Sequence, residues 1–496
     1  MDSTTFNTLT TITDNAGVFW LTVSAALVFL MQGGFLALEA GLSQSKNNVN
    51  VAVKNLTDVG ISTFLYWVIG YGFMYGASEG FLGTDTFMPD VGQGGAELAI
   101  GFLFQAVFAS TAVTILSGAV VGRMKFTSYI VVACIVSGLI YPIYGSWVWN
   151  GDGWLAKEGF TDFAGSTVVH SIGGWVAFAA LLVIGARKGR FNKDGTANDM
   201  PASNLSIALI GVIILWFGWF GFNGGSELAW FSGSDDKVME FSAVTVDAEV
   251  IATAEETLGI TIDPASLVIV GTDTVTISEV SFPIATADTA FGVSFTDLSA
   301  DVETTLPGTS SAVPGIIANT AVGGAAGLLA ALALGWVLTK TPQVGSVGNG
   351  ALAGLVAVTA NCHSTTALSA VIIGAIGGVV AIGAEQALLK FKIDDVVGAI
   401  PVHLAAGIWG TLAFAIFAES SYLGDNTRME QLVVQVMGIA AAAVWAGGGT
   451  FVLLYGINKI MPLRVSEEEE AVGLNSEHGI APMPPMGMPA AAGAMD

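Results

Sequence analysis

The chain has 496 residues, 53% of them hydrophobic and 11% charged, with a mean hydropathy of +0.69. Soluble globular proteins carry about 25% charged residues, so a water-soluble fold is excluded. The net charge of −24 must then be read by where each charge lies relative to a bilayer.

The N-terminal stretch MDSTTFNTLTTITDN lacks the basic start of a signal peptide, so the first apolar run is expected to be retained. Apolar runs punctuated by Gly, Pro and charge predict an all-α polytopic membrane protein with eleven transmembrane helices. They lie near 17–38, 55–76, 98–120, 127–149, 163–186, 204–225, 314–338, 348–366, 368–389, 397–418 and 431–457. The expected organisation is six helices within 1–230, an acidic insert over 231–312, helices seven to eleven within 313–460, and a tail over 461–496. The tail ends PMPPMGMPAAAGAMD, a composition that reads as disordered. Cys134 and Cys362 sit in or beside apolar runs and behave as small hydrophobes, giving neither a disulfide framework nor a redox motif.

The 16 basic residues give the orientation, because Lys and Arg accumulate on the cytoplasmic side. Loops after odd-numbered spans, with the tail, hold all of them except Lys157, Lys237 and Arg428. The N-terminus is therefore expected outside, the C-terminus in the cytoplasm, and the 231–312 insert outside. That insert has 14 Asp and Glu against one Lys. Its stretches 266–282 and 290–295 are rich in Val, Ile, Thr and Phe and partly alternate, which predicts half-buried strands with a turn at 271–273. A small β-rich cap follows; a solvated acidic loop is the alternative.

Ionisable side chains inside a membrane cost about 2.5–3.5 kcal/mol each on insertion scales, so each invites a functional reading. His170 falls within the fifth span and His403 within the tenth. The sequences around them repeat: Asp162 and Asp395 each stand eight residues before a histidine, and small pairs follow, Gly173-Gly174 and Ala405-Ala406. The fifth and tenth spans enter from opposite sides, which is an inverted five-helix repeat plus a final helix, an arrangement that puts a transporter's working site at the midplane. Eight helical residues cover about 12 Å of a core about 30 Å thick, so both histidines should meet near its centre. Imidazole can donate from one nitrogen and accept at the other, so such a pair can share a proton and line a path for a small polar solute. A metal site is the rival use, but no third ligand of suitable type accompanies the pair. Asp162 and Asp395 begin helices and are expected to cap free N–H groups. Aromatic residues gather at the outer ends of even-numbered spans, at Trp147, Trp149 and WFGWFGFNGGS, with Phe104 and Phe108 at the same level. An aromatic belt explains them, and so does a small-cation site, since ring faces attract cations by about 0.5–2 kcal/mol.

In order along the chain, GGFLALEAGLSQSKNNVNVAVKNL, FQAVFAS, YPIYGSWVWNGDGWL, DFAGSTVVH, WFGWFGFNGGS and RVSEEEEAVGLNSEHG resemble the Amt/Mep/Rh ammonium transporter family, and its microbial Amt branch most. The resemblance spans nearly the whole chain apart from the insert. It implies a homotrimer with one pore per subunit in the cell membrane. It implies an outer ammonium site at Trp149, Phe108 and Ser226 with Trp219 nearby, a gate at Phe108 and Phe222, and a lumen lined by His170, His403 and Thr359. Asp162 matches an aspartate held to be structural or cation-stabilising. NH4+ would be recruited outside and deprotonated, and NH3 would cross beside the histidines with net charge transport. The tail implies regulation and binding of a PII-type nitrogen regulatory protein. Departures from the family pattern are Asn475 and Ile480, where acidic residues are usual, and His363 in ANCHSTTALS, read as a packing or interfacial residue. No cofactor, metal or nucleic-acid partner is expected, and no nucleophile–base pair suggests an enzyme. An Rh-like electroneutral channel for NH3 or gas, and an ammonium sensor, are the alternatives.

Overall fold

The computed structural model describes residues 3–231, 237–240, 268–270, 274–277, 280–283, 302–305 and 311–480. The expected turn at 271–273, the Phe/Val-rich stretch 290–295 and the disordered end of the tail lie outside the described residues. The chain divides into two compact units, Leu21–Ser226 with Pro314–Asp496, and Met1–Trp20 with Glu227–Val313.

In the smaller unit, five short strands form one antiparallel sheet: β1 (Lys237–Glu240), β2 (Val268–Val270), β3 (Thr274–Ile277), β4 (Val280–Pro283) and β5 (Val302–Thr305), in the order β4-β3-β2-β1-β5. Three of them, β2 to β4, fall where the alternating stretch was read, and β3 pairs with β4 from Thr274↔Pro283 to Ile277↔Val280. The sequence reading began this unit at 231, but it also includes the first twenty residues: Trp20 meets Trp230 edge-on at 5.1 Å.

The long helices are α1 (Ser3–Leu42), α2 (Asn48–Leu65, continued through Tyr66–Gly70 and Tyr71–Tyr75), α3 (Ala96–Ala119), α4 (Phe126–Ile135, Val136–Ile140, Tyr141–Trp149), α5 (Ser166–Ser171, Ile172–Ile184) and α6 (Leu205–Gly225). Then come α7 (Val313–Thr339), α8 (Val344–Thr359), α9 (Ala367–Lys390), α10 (Ile400–Ala405, Ala406–Phe417) and α11 (Arg428–Ala442, Ala443–Gly449, Thr450–Ile460). Among the described residues nine helices are long and apolar enough to cross a membrane. The remaining two expected spans fall on α2, which buries Asn50, Lys54, Asn55, Asp58 and Ser62, and on the shorter α8. α8 ends at Thr359, not at 366 as expected, and Asn361 explains the stop: its side chain bonds back to Ala357 O and across to Gly410 O.

Two glycines set the helix spacing that matters most. A Cβ on Gly174 would lie 2.7 Å from Leu404 Cβ, and one on Gly407 would lie 2.5 Å from Ser166 O. Each glycine stands four residues after its histidine, so α5 and α10 cross in contact at the histidine level. The small pair that follows His403 in sequence, Ala405-Ala406, is thus not the structural counterpart of Gly173-Gly174; Gly407 is the counterpart of Gly174.

The C-terminal segment closes one end. A short helix α12 (Glu467–Val472) begins in a reciprocal capping box between Ser466 and Glu469. Beyond it, Asn475 Oδ1 accepts from Val49 N at 3.0 Å and Asn50 N at 3.1 Å, and its amide donates to Ser45 O and Asn48 Oδ1. Donors and acceptors are both met, which an aspartate could not do.

Candidate functional site

The histidine helices start alike. Asp162 Oδ1 accepts from Gly165 N (3.0 Å) and Ser166 N (2.8 Å), and Oδ2 from Thr167 N (2.7 Å) and Val168 N (2.8 Å). Asp395 accepts from Gly398 N at 3.1 Å and Ile400 N at 2.7 Å. Gly165 and Gly398 have φ of +111° and +81°, a region open to glycine. The repeated unit is therefore Asp-x-x-Gly-x4-His-x3-Gly, longer than the Asp–His spacing alone. In both copies the turn that carries the histidine is wound as π-helix, Ser166–Ser171 and Ile400–Ala405, a local widening common at functional sites. Ser166 Oγ donates to Val356 O at 2.6 Å and accepts from Ala360 N at 2.8 Å, tying the start of α5 to α8.

The two rings meet. His403 Nδ1 lies 3.2 Å from His170 Nδ1, and both residues are buried. Two facing Nδ1 atoms at this distance share one proton, one ring donating and the other accepting. Among the described residues His170 Nε2 meets no hydrogen-bond partner. Among the described residues, no group of three or more His, Cys, Asp or Glu is disposed to hold a metal ion.

Above the pair, Phe222 lies 5.3 Å from His170, ring to ring, and stacks on Phe108 at 4.0 Å with the planes 12° apart. Phe108 and Phe222 are 1% and 0% exposed, so the stacked pair is fully buried next to His170. Phe104 packs 4.6 Å from Phe108, and Trp149 meets Phe108 edge-on at 6.2 Å. The Trp149 indole is pinned: Nε1 donates to Asp162 O at 2.8 Å, and its ring lies against Gly165, where a Cβ would come within 3.2 Å. Asp162 thus holds both the start of α5 and the Trp149 ring. Burial pushes its carboxyl up to about 6 against the pull of its four N–H donors. Ser226 Oγ donates to Phe222 O at 2.9 Å, so its lone pairs remain free to accept.

Trp219 and Thr359 are joined to one another beside the histidines. Trp219, expected near the outer site, is fully buried, lies 5.8 Å from Phe222 ring to ring and stacks on His170 at 5.0 Å. Thr359, expected as a lumen hydroxyl, accepts from Trp219 Nε1 at 2.9 Å and donates to Leu355 O at 2.8 Å. Its side chain positions Trp219. No local sequence signal distinguishes this from lining, because the partner is 140 residues away. His363 stacks on Phe163 at 4.1 Å and meets Tyr422 at 5.0 Å, and burial pushes its imidazole down to about 4.

Comparison with known proteins places the chain: the Ammonium Transporter Family model matches residues 19–258 and 302–481. The chain belongs to the ammonium transporter family. A Synechocystis sp. protein named for ammonium transport is 39% identical over 92% of this chain and 72% of its own length. The ammonium transporter Amt2 of Archaeoglobus fulgidus is 35% identical over 94% of this chain and 87% of its own. Among solved structures, a Sensor Amt Protein is 36% identical, covers 95% of this chain and 100% of its own, and superposes with a TM-score of 0.76. Candida albicans Mep2, 22% identical with a TM-score of 0.70, shares the fold. The transporter is a multi-pass membrane protein of this family.

Proposed function

We propose that the chain recruits NH4+ at its outer mouth, deprotonates it, and conducts NH3 past His170 and His403 with net movement of charge. The observation that carries this reading is the stacked Phe108–Phe222 pair directly over an Nδ1-paired histidine couple. At the mouth, the pinned Trp149 face and Phe108 attract a cation, while the Ser226 hydroxyl, already donating to Phe222 O, can only accept from it. The carboxylate of Asp162 adds a favourable field behind the ring. A bare cation in the lumen would be costly, so NH3 is the species that crosses, with imidazole nitrogens replacing water as partners. Trp219 and Thr359 hold His170 in plane.

The wider arrangement in this reading is a homotrimer of eleven-span subunits in the cell membrane, N-terminus outside and C-terminus cytoplasmic. The C-terminal segment offers the surface for a PII-type nitrogen regulatory protein. The protein acts as a transporter, not an enzyme.

Proteoliposomes on a solid-supported membrane test this after an ammonium jump, with wild type, Ser226→Ala and empty vesicles. Wild type should give a saturable current. A hydrogen bond to a charged group is worth about 1.5–3 kcal/mol, so Ser226→Ala should raise the half-saturating ammonium concentration at least tenfold. Absent current with NH3 permeability above the empty vesicles would make the protein an electroneutral channel. Neither signal in folded protein would make it a sensor.

A further inference from the structure

The polar path does not stop at the histidine pair. Beyond His403, a narrow cavity is bounded by Phe35, Glu39, Asn349, Val397, Gly398 and His403 itself. Glu39 lies four residues along α1 from Phe35, whose ring is 6.0 Å from that of His403, and it is 1% exposed. Its Oε2 accepts from Asn55 Nδ2 at 2.9 Å, and the same amide lies 3.3 Å from Ser117 Oγ. Space for the carboxyl depends on Gly118, where a Cβ would stand 3.2 Å from Glu39 Oε1 and 2.4 Å from Val397 Cγ2.

The ionisable groups around Glu39 come from three elements. Lys54, on α2, donates to Met124 O at 3.1 Å; Asp58, on α2, accepts from the hydroxyl of Tyr129, on α4, at 2.6 Å. All are fully buried. His403, on α10, faces the cavity from the other side. A glutamine at position 39 could hold Asn55 equally well, so packing alone does not call for a carboxyl in the membrane, where it is costly.

We propose that Glu39 is the proton acceptor beyond the histidine pair, taking the charge that ammonium gives up and delivering it at the end of the pore that carries the C-terminal segment. This rests on the transport reading above. In the starting tautomer, His170 Nδ1–H donates to His403 Nδ1, His170 Nε2 is a bare lone pair, and His403 Nε2 carries a proton. An N–H bond of NH4+ breaks as His170 Nε2–H forms; the Nδ1 proton passes from His170 to His403; the His403 Nε2–H bond breaks as a Glu39 O–H bond forms through one water in the cavity. The sum is NH4+ plus carboxylate giving NH3 plus carboxylic acid, with each imidazole neutral and its tautomer reversed. Release of the proton from Glu39 and return of the two tautomers complete the cycle.

The test uses the full chain in proteoliposomes, with ammonium-jump current and stopped-flow NH3 permeability read on the same vesicles for wild type, Glu39→Gln and Glu39→Asp. Glu39→Gln keeps the acceptor for Asn55 but holds no transferable proton: its current should drop at least tenfold with permeability within twofold of wild type. Glu39→Asp should restore most of the current with an altered pH profile. Current in Glu39→Gln within twofold of wild type overturns the assignment, and so does joint loss of current and permeability, which would make Glu39 structural. Wild-type permeability without current removes both the charge-carrying step and the role of Glu39. A wild type with neither signal removes the transport reading itself.

Discussion

Trp219 shows at the residue scale how one bond can fix a ring in a site. Its indole is buried against His170, and its only polar atom is met by Thr359 Oγ1. Thr359→Val keeps the shape and removes that acceptor, stranding a buried N–H at a cost of about 1–3 kcal/mol. The expected outcome is a Tm several degrees lower in detergent, with transport reduced because His170 loses its backing. An unchanged Tm would show that the indole finds another partner. Both residues were placed near the path from the sequence, but the bond between them was not, since a threonine on a helix looks the same whether its hydroxyl faces a lumen or a neighbouring indole.

Close crossing is the governing feature at the element scale. α5 and α10 reach one another because Gly174 and Gly407 have no side chain, and the Nδ1–Nδ1 contact of 3.2 Å depends on that approach. A methyl on Gly174 would sit 2.7–2.9 Å from Leu404 Cβ, N and Cα, two of which are backbone and cannot yield. Gly174→Ala should therefore separate the histidines and abolish ammonium current by tenfold or more, although every polar residue of the site remains. Wild-type current in that variant would show that the pair tolerates a wider gap. The Asp-to-His spacing and its repetition were legible beforehand; the matching glycines were not, because the equivalence of Gly174 and Gly407 emerges only when the two helices are laid across each other.

Within the membrane unit, charges at the end that carries the C-terminal segment tie distant loops into one framework. Arg187 Nε and Nη2 bond Asp394 Oδ2 and Oδ1 at 2.7 and 2.8 Å, and Arg123 Nη2 donates to Asp394 O at 2.5 Å. Burial alone would push Asp394 up, but the Arg187 bonds and the nearby guanidinium charge of Arg123 outweigh it and hold the carboxyl at about 2. A carboxyl depressed below its unfolded value, about 3.9, stabilises the fold fully above that value and loses its contribution as the pH falls toward 2. Wild type should therefore lose Tm more steeply below about pH 4 than Asp394→Asn. At neutral pH that variant, which leaves Arg187 buried without its counter-charge, should be less stable by about 3–5 kcal/mol. Parallel acid profiles for the two proteins would remove Asp394 as the source. Arg464 joins the framework through Ile184 O at 2.7 Å and Glu470 at 2.7 Å, so the C-terminal segment shares it.

Composition and apolar run length by themselves determined a polytopic helical membrane protein, because a chain with so few charges and such long apolar runs has no soluble way to bury them. The ordered motifs determined the family, and the repeated Asp and His determined which two imidazoles to watch. Only the tertiary structure decided that their Nδ1 atoms face each other, that Phe108 and Phe222 stack next to them, and that Trp219 packs on His170. It also decided that Glu39 opens onto the cavity beyond His403. The reason is physical: run length and periodicity report the solvent a helix needs, whereas a hydrogen bond or a ring stack between residues more than a hundred positions apart depends on how closely two helices pass. Side chains that are absent, at Gly118, Gly174 and Gly407, set that approach as much as those that are present.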